Sequence, residues 1–416
     1  MPCLKGDDLT AWLQGELQAT EARSVRDHVE DCFRCREEAR LIEEVLGALR
    51  PSRSGDPGAV DLVPALLARL ARERTARSTR WIPRLAAAAV LIAAGGALLV
   101  QLDPAGWREE APDLARSAIE WLERAQEPSG SFSAARWGGR YEHDVGLTGL
   151  AALALLPHRE SREATARAID SILSRQSPEG RFGPDVREAA YNHGIATVAV
   201  LEGLEAIGGE RLREPLNRAL EHIQKTQHEG GGWGYAGADM EGPNTAATCW
   251  PLQALLKARA LGWSGLEGSI DEAFRYLTRV ADRSGRLGYR RAGELPGDAL
   301  SSMGALCVLL ARDDLSVPVV LRGRLLDQVA RAMVRSRPGE ELYKDFFIAS
   351  VAGALPADRR ERWRNDARQA LALLQVREGP DRGSWEPRDI WSPAGGRVYA
   401  TALGALILVS GQGGRS

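Results

Sequence analysis

Gln126-Glu-Pro-Ser-Gly-Ser-Phe132 returns as Gln176-Ser-Pro-Glu-Gly-Arg-Phe182 and again as Gln227-His-Glu-Gly-Gly-Gly-Trp233. A fourth copy has decayed to Ala281, Gly285 and Leu287. A late one keeps Gln375 and, after a two-residue insertion, Gly383 and Trp385. Eight residues before each of these register positions stands an alanine: Ala118, Ala168, Ala219, Ala273 and Ala367. A period of about 50 residues with two helical patterns per copy is a repeat architecture, because one such unit cannot bury its apolar face alone. Each copy opens with an amphipathic helix such as ARSAIEWLERAQ, breaks at the glycine turn, and resumes as a small-residue apolar helix. Six segments read this way: GLTGLAALALL, GIATVAVLEGL, TAATCWPLQALL, ALSSMGALCVLL, DFFIASVAGAL and YATALGALILV. Apolar on nearly every side, they belong in an inner ring with the amphipathic set outside. The expected architecture for 113–416 is therefore all-α, an (α/α)6 toroid of about six helix pairs that closes on itself and needs no polar end caps.

The register that aligns Gln126 with Gln176 also aligns Tyr141-Glu142-His143 with Tyr191-Asn192-His193, and continues to Asn244, Asp298 and, in the fifth copy, Asp345. All fall at starts of inner helices, facing one mouth of the ring. With Asp144 they form a candidate ligand-binding rim. The competing reading is that Asn and Asp at helix starts are N-caps, which explains the two histidines least well. Trp233, Trp250 and Trp385 either line a cavity for an apolar or sugar ligand or fill the core. Cys249 and Cys307 lie on different inner helices and read as buried thiols rather than a disulfide.

The Q-x3-G-x-aromatic repeats resemble those of the squalene cyclases and protein prenyltransferases, over nearly all of 113–411. That resemblance implies an α/α toroid more securely than an activity. Hopene-type cyclases protonate an alkene with a D-x-D-D motif, which is missing; Asp313-Asp314 is followed by Leu-Ser. The sterol-type D-C-T-A-E is also missing. The prenyltransferase zinc set needs an Asp two residues before a Cys and a later His. Neither Cys249 nor Cys307 has that Asp, and no His follows His228. These absences weigh against the known chemistries.

The first quarter of the chain reads differently. The whole has 416 residues, with 54 Lys+Arg against 56 Asp+Glu, a balance that argues against direct nucleic-acid binding. Five cysteines are too few for a disulfide scaffold. From Leu85 to Leu102 runs LAAAAVLIAAGGALLVQL, uncharged, flanked by Trp81 and Trp107, with Pro83 near its start. As a helix it rises about 27 Å, close to a bilayer core. Arginines at 69, 72, 74, 77, 80 and 84 precede it, whereas acids at 103, 109, 110 and 113 dominate after it. The positive-inside bias places the N-terminus in the cytoplasm and the repeats outside the cytoplasmic membrane, as a single-pass protein. Ala89, Ala93 and Ala97 offer a small-residue stripe for a homodimer.

Upstream, His28, Cys32 and Cys35 form H-x3-C-x2-C, with Cys3 25 residues before the His. Residues four apart share a helix face, so His28 and Cys32 can meet one ion. Cys3 and Cys35 would complete a closed Cys3His tetrahedron around a structural zinc. A core as small as this one would need such a staple. These residues, with Trp12-Leu13-Gln14-Gly15-Glu16-Leu17, resemble the zinc-binding anti-sigma factor domain, whose members bind an extracytoplasmic-function sigma factor. The resemblance covers about the first 50 residues. The apolar stripe Leu62, Leu66, Leu67 and Leu70 is either an added sigma-gripping helix or an amphipathic stretch on the membrane surface.

The organisation expected is a zinc-stapled helical domain over 1–50, a linker with a juxtamembrane helix over 51–83, a transmembrane helix over 84–102, a linker over 103–112 and the toroid over 113–416. The function expected is a membrane-anchored anti-sigma regulator whose toroid senses an extracytoplasmic ligand or partner. The alternatives are an anchored toroid enzyme acting on a lipid, isoprenoid or polysaccharide, with His143, His193 and Asp298 as acid, base or metal ligands, and a protein-binding scaffold.

Overall fold

The structure is a computed structural model that describes residue 12 and residues 19–31, 114–235, 242–312 and 317–410. The chain divides into two compact units, Met1–Pro104 and Ala105–Ser416. In the first, the described helix is α1, Ala19–Asp31, which buries Val25 and Val29 and carries His28 in its last turn.

The second unit is all-α, as expected. Six amphipathic helices form the outer layer: α2 (Leu114–Ala125), α4 (Arg162–Leu173), α6 (Glu210–Lys225), α8 (Glu267–Val280), α10 (Val319–Arg335) and α12 (Ala357–Leu374). Each is followed by an apolar partner: α3 (Asp144–Leu155), α5 (Ala189–Ile207), α7 (Thr245–Ala260), α9 (Asp298–Leu310), α11 (Leu342–Val351) and α13 (Ser392–Val409). The inner helices touch in chain order, α3 to α5, α7, α9, α11 and α13, and α13 packs back on α3. The ring is thus closed. Because each inner helix is followed by an outer one running back, all six inner N-termini gather at one mouth.

The repeated residues turn out to be joints. Gln126 Nε2 donates to the Gly130 carbonyl of its own turn and to the Ala164 carbonyl of the next pair, at 3.0 and 2.8 Å. Gln176 does the same to Gly180 and Pro215, and Gln227 to Gly231 and Ser269. Gln375 closes the circle on Gly383 and on Leu114, the first residue of α2. The turn glycine is required twice over. Gly180 has φ +91°, and a Cβ there would lie 2.1 Å from the Arg218 carbonyl oxygen of the next outer helix.

The large apolar residue that ends each motif, aromatic in all but the fourth copy, is buried, and its N–H is taken by a side chain of the inner helix. Phe132 donates to Thr148, Trp233 to Thr248, Leu287 to Ser301 and Trp385 to Thr401, at 3.0–3.3 Å. In the second pair an imidazole stands in for the hydroxyl, as Phe182 donates to His193 Nδ1 at 2.9 Å.

Candidate functional site

The structure places the expected rim residues at the starts of inner helices, with their side chains engaged by their own loops and helices or by neighbouring helices. Asn244 caps α7, its Oδ1 accepting from Ala247 at 2.8 Å. Asp298, the first residue of α9, pairs with Arg335 of α10 at 2.8 Å. Asp144 begins α3 and accepts from the Ala134 N–H at 2.8 Å; burial outweighs that bond and raises its pKa. His143 lies against Asn192 Oδ1 at 3.4 Å and Arg140 at 3.1 Å.

His193 is sealed in the wall, 2% exposed. Its Nδ1 accepts from Phe182, so Nε2 carries the proton and donates to the Ala219 carbonyl at 3.1 Å. Burial, with a smaller push from nearby His222, lowers its pKa to about 3 and keeps it neutral. Both ring nitrogens are used, which leaves none for a metal or a proton transfer.

Asp345 is wholly buried in the first turn of α11 and is pushed up to about 7 by desolvation. Its Oδ2 accepts from Gly339 at 2.7 Å, while Oδ1 has no partner. Tyr343 and Phe347 lie two residues either side of it, hence nearly opposite round the helix. Asp345 therefore clasps the turn that leads into α11, on the side away from these two rings.

The ring centre is built by side chains of which sequence reasoning singled out two, Tyr191 and Trp250. Tyr191 of α5 hydrogen-bonds through its hydroxyl to the Tyr343 hydroxyl of α11, the helix opposite it in the ring. The Trp250 indole N–H of α7 donates to the same Tyr343 oxygen at 2.7 Å. Trp250 stacks on Phe346 with centroids 6.3 Å apart, and Phe347 meets both Trp250 and Tyr343 edge-on at 5.6 and 5.0 Å. Tyr399 of α13 donates towards Asp389 at 3.4 Å, and Asp389 also accepts from the Leu342 N–H at the start of α11. Burial pushes all three phenols well above their ordinary range, so they stay protonated donors. The site is an aromatic cluster with a few polar tips that fills the ring centre, bordered by Glu341 and Asp389. At the other mouth, between α5, α7 and α9, a cavity of about 260 Å³ is lined by leucines and by Lys257, which pairs with Glu202.

Tyr343, Phe346, Phe347 and Tyr399 were missed because the fifth and sixth copies have lost or displaced the motif that sets the register. A search for first-turn aromatics on the inner helices finds Tyr191 and Tyr343, and Tyr399 lies three residues after the kink at Gly396 within α13.

His28 is on α1, whereas Cys3, Cys32 and Cys35 lie outside the described residues, as do the segment 84–102 and the linkers around it. Among the described residues no helix is long and apolar enough to cross a membrane, and no cluster of His, Cys, Asp or Glu could hold a metal.

Residues 142–286 match the family model of the squalene-hopene cyclase C-terminal domain. A drimenyl diphosphate synthase from Streptomyces showdoensis is 31% identical over 197 residues, 46% of this chain and 35% of that protein, so the chain spans about a third of this relative's length. Among solved structures, an alpha-1,6-mannanase from Salegentibacter sp. HEL1_6 has a TM-score of 0.55 at 10% identity, covering 73% of this chain and 99% of its own. A type II terpene cyclase from Scytonema, with its product bound, has a TM-score of 0.50 at 15% identity, covering 72% of this chain and 96% of its own. The two structures share the fold. The C-terminal unit is a squalene cyclase-like α/α toroid. These matches overturn the expectation of an anti-sigma regulator with a sensing toroid and favour the alternative, a toroid of the enzyme kind. The physical reason lies in the mouth: the polar residues that suggested a sensing rim are occupied in capping helices and holding loops and neighbouring helices, and an aromatic cluster fills the ring centre instead.

Proposed function

We propose that the toroid is a terpenoid-cyclase-type enzyme domain that takes an isoprenoid substrate into its ring centre. The observation that carries this reading is the buried aromatic cluster of Tyr191, Trp250, Tyr343, Phe346, Phe347 and Tyr399 at the ring centre. Such a wall excludes water, gives an apolar polyprenyl chain a matching surface and offers π-faces to carbon that becomes cationic as a ring closes. The match to the squalene-hopene cyclase C-terminal domain and the kinship with a drimenyl diphosphate synthase support the substrate class.

The chain departs from the cyclases in having no D-x-D-D motif, and the buried acid Asp345 clasps a turn on the side away from Tyr343 and Phe347. The carboxyls bordering the cluster are Glu341 and Asp389, both of which accept hydrogen bonds, the latter from Leu342 and Tyr399. This reading assigns them to electrostatic stabilisation of cationic carbon, with the phenols orienting the chain.

The test is to incubate the purified full-length chain with farnesyl and geranylgeranyl diphosphate and identify products by gas chromatography and mass spectrometry. A cyclic product lost in Asp389→Asn or Trp250→Ala, with the helical circular-dichroism signal kept, is the expected result. Absence of both turnover and binding would sink the proposal.

A further inference from the structure

Gln253 lies three residues after Trp250 and four before Lys257 on α7, spacings that put all three on one helix face. That face looks into the ring, because the Trp250 indole reaches Tyr343 on α11. Gln253 is 2% exposed, and its Nε2 has no hydrogen-bond partner. On either side of it along α7, Leu252, Ala254, Leu255 and Leu256 are fully buried apolar residues. An amide donor left unpaired in so apolar a setting is costly, and buried polar groups in native proteins almost always find a partner.

We propose that Gln253 is the polar contact for the bound isoprenoid. Its amide N–H donates to an oxygen of the ligand, so the ring prefers an oxygenated isoprenoid, such as a prenyl alcohol or ether, over a pure hydrocarbon of the same skeleton. This rests on the isoprenoid reading above and adds the chemical class of substrate within it. Gln253 is then a specificity-determining residue one turn below the aromatic network. It discriminates because a ligand lacking the oxygen would leave the donor unpaired.

The experiment compares geranylgeraniol with the hydrocarbon of the same carbon skeleton, each added to the full-length chain in matched detergent micelles, with binding followed by tryptophan fluorescence. Wild type is expected to bind the alcohol about tenfold more tightly. Gln253→Leu and the volume-matched Gln253→Met should remove that preference, because neither leaves an amide for the alcohol to satisfy or the hydrocarbon to strand. If wild type binds both probes equally, or if both variants keep the preference, the amide is satisfied by an ordered water alone and the inference fails while the isoprenoid reading stands. If wild type binds neither probe, the isoprenoid reading fails and the inference falls with it.

Discussion

The first three helix pairs and the fourth and fifth solve the same joining problem by different means. In the first three, one glutamine ties its own turn to the next outer helix, and a glycine lets the two backbones touch. In the fourth, Ala281 has no amide to give. The turn is held from within by Asp282, which accepts from Ser284 and Arg286, and from outside by Gln328 of α10, which reaches back to the Ser284 carbonyl at 2.9 Å. In the fifth, the turn after α10 has Ser336 at the glutamine position, and Asp345 clasps Gly339 from the inner helix. The lesson is that the motif encodes a mechanical bond, and the bond can survive the motif if a polar side chain arrives from another helix.

The comparison breaks most sharply at the glycines. Gly180→Ala should cost on the order of 3–5 kcal/mol, because it forces a left-handed φ on a side chain and drives Cβ into the Arg218 carbonyl. Gly339→Ala in the fifth pair also has positive φ, but meets only the Leu374 and Ala370 side chains at 3.0 and 3.3 Å, so about 1–2 kcal/mol is expected. Urea denaturation of the two variants side by side checks the ranking.

Two opposed pH dependences come next in size. Asp345, pushed up to about 7, holds its proton more firmly when folded, so its contribution to stability falls as pH rises from about 4 to 7. His193, held down to about 3, is protonated more readily when unfolded, so its contribution falls as pH drops from about 6.5 towards 3. In the wild type the two slopes oppose each other between about pH 4 and 6.5. Asp345→Asn should leave stability rising with pH across that window, and His193→Ala should leave it falling. Melting temperatures at half-unit pH steps decide this, and parallel profiles in the two variants would refute the assignment.

The smallest effects are at the glutamines. Gln227→Ala removes two bonds and should cost about 2 kcal/mol, whereas Gln328→Ala removes one and should cost about 1 kcal/mol. Equal losses would mean the two joints share load in a way the hydrogen bonds do not show.

The ring was legible in the sequence because its signals are local: a glycine with positive φ, an apolar helix every 50 or so residues, an aromatic that must be buried. The candidate site was only partly legible. Tyr191 and Trp250 could be singled out, but that Tyr191 meets Tyr343 depends on closure of a ring in which 152 residues separate the two phenols. The histidines misled for a related reason. His193 falls at a repeated Tyr-x-His, which reads as chemistry, yet it serves where other pairs use a hydroxyl to hold the aromatic N–H. Asp298 and Asn244 stand at helix starts, where their side chains pair with Arg335 and accept from the Ala247 N–H. The regulator reading rested on residues such as Cys3, Cys32 and Cys35 that lie outside the described residues, and it could not say what the ring encloses.

The isoprenoid site proposed is the aromatic ring centre, and photocrosslinking tests that most directly. A benzophenone-bearing prenyl diphosphate, irradiated with the full-length chain and mapped by peptide mass spectrometry, should label the first two turns of α5, α7 and α11 around Tyr191, Trp250 and Tyr343, with excess geranylgeranyl diphosphate suppressing the label. Labelling confined to the outer helices, or label that the competitor does not suppress, would contradict it.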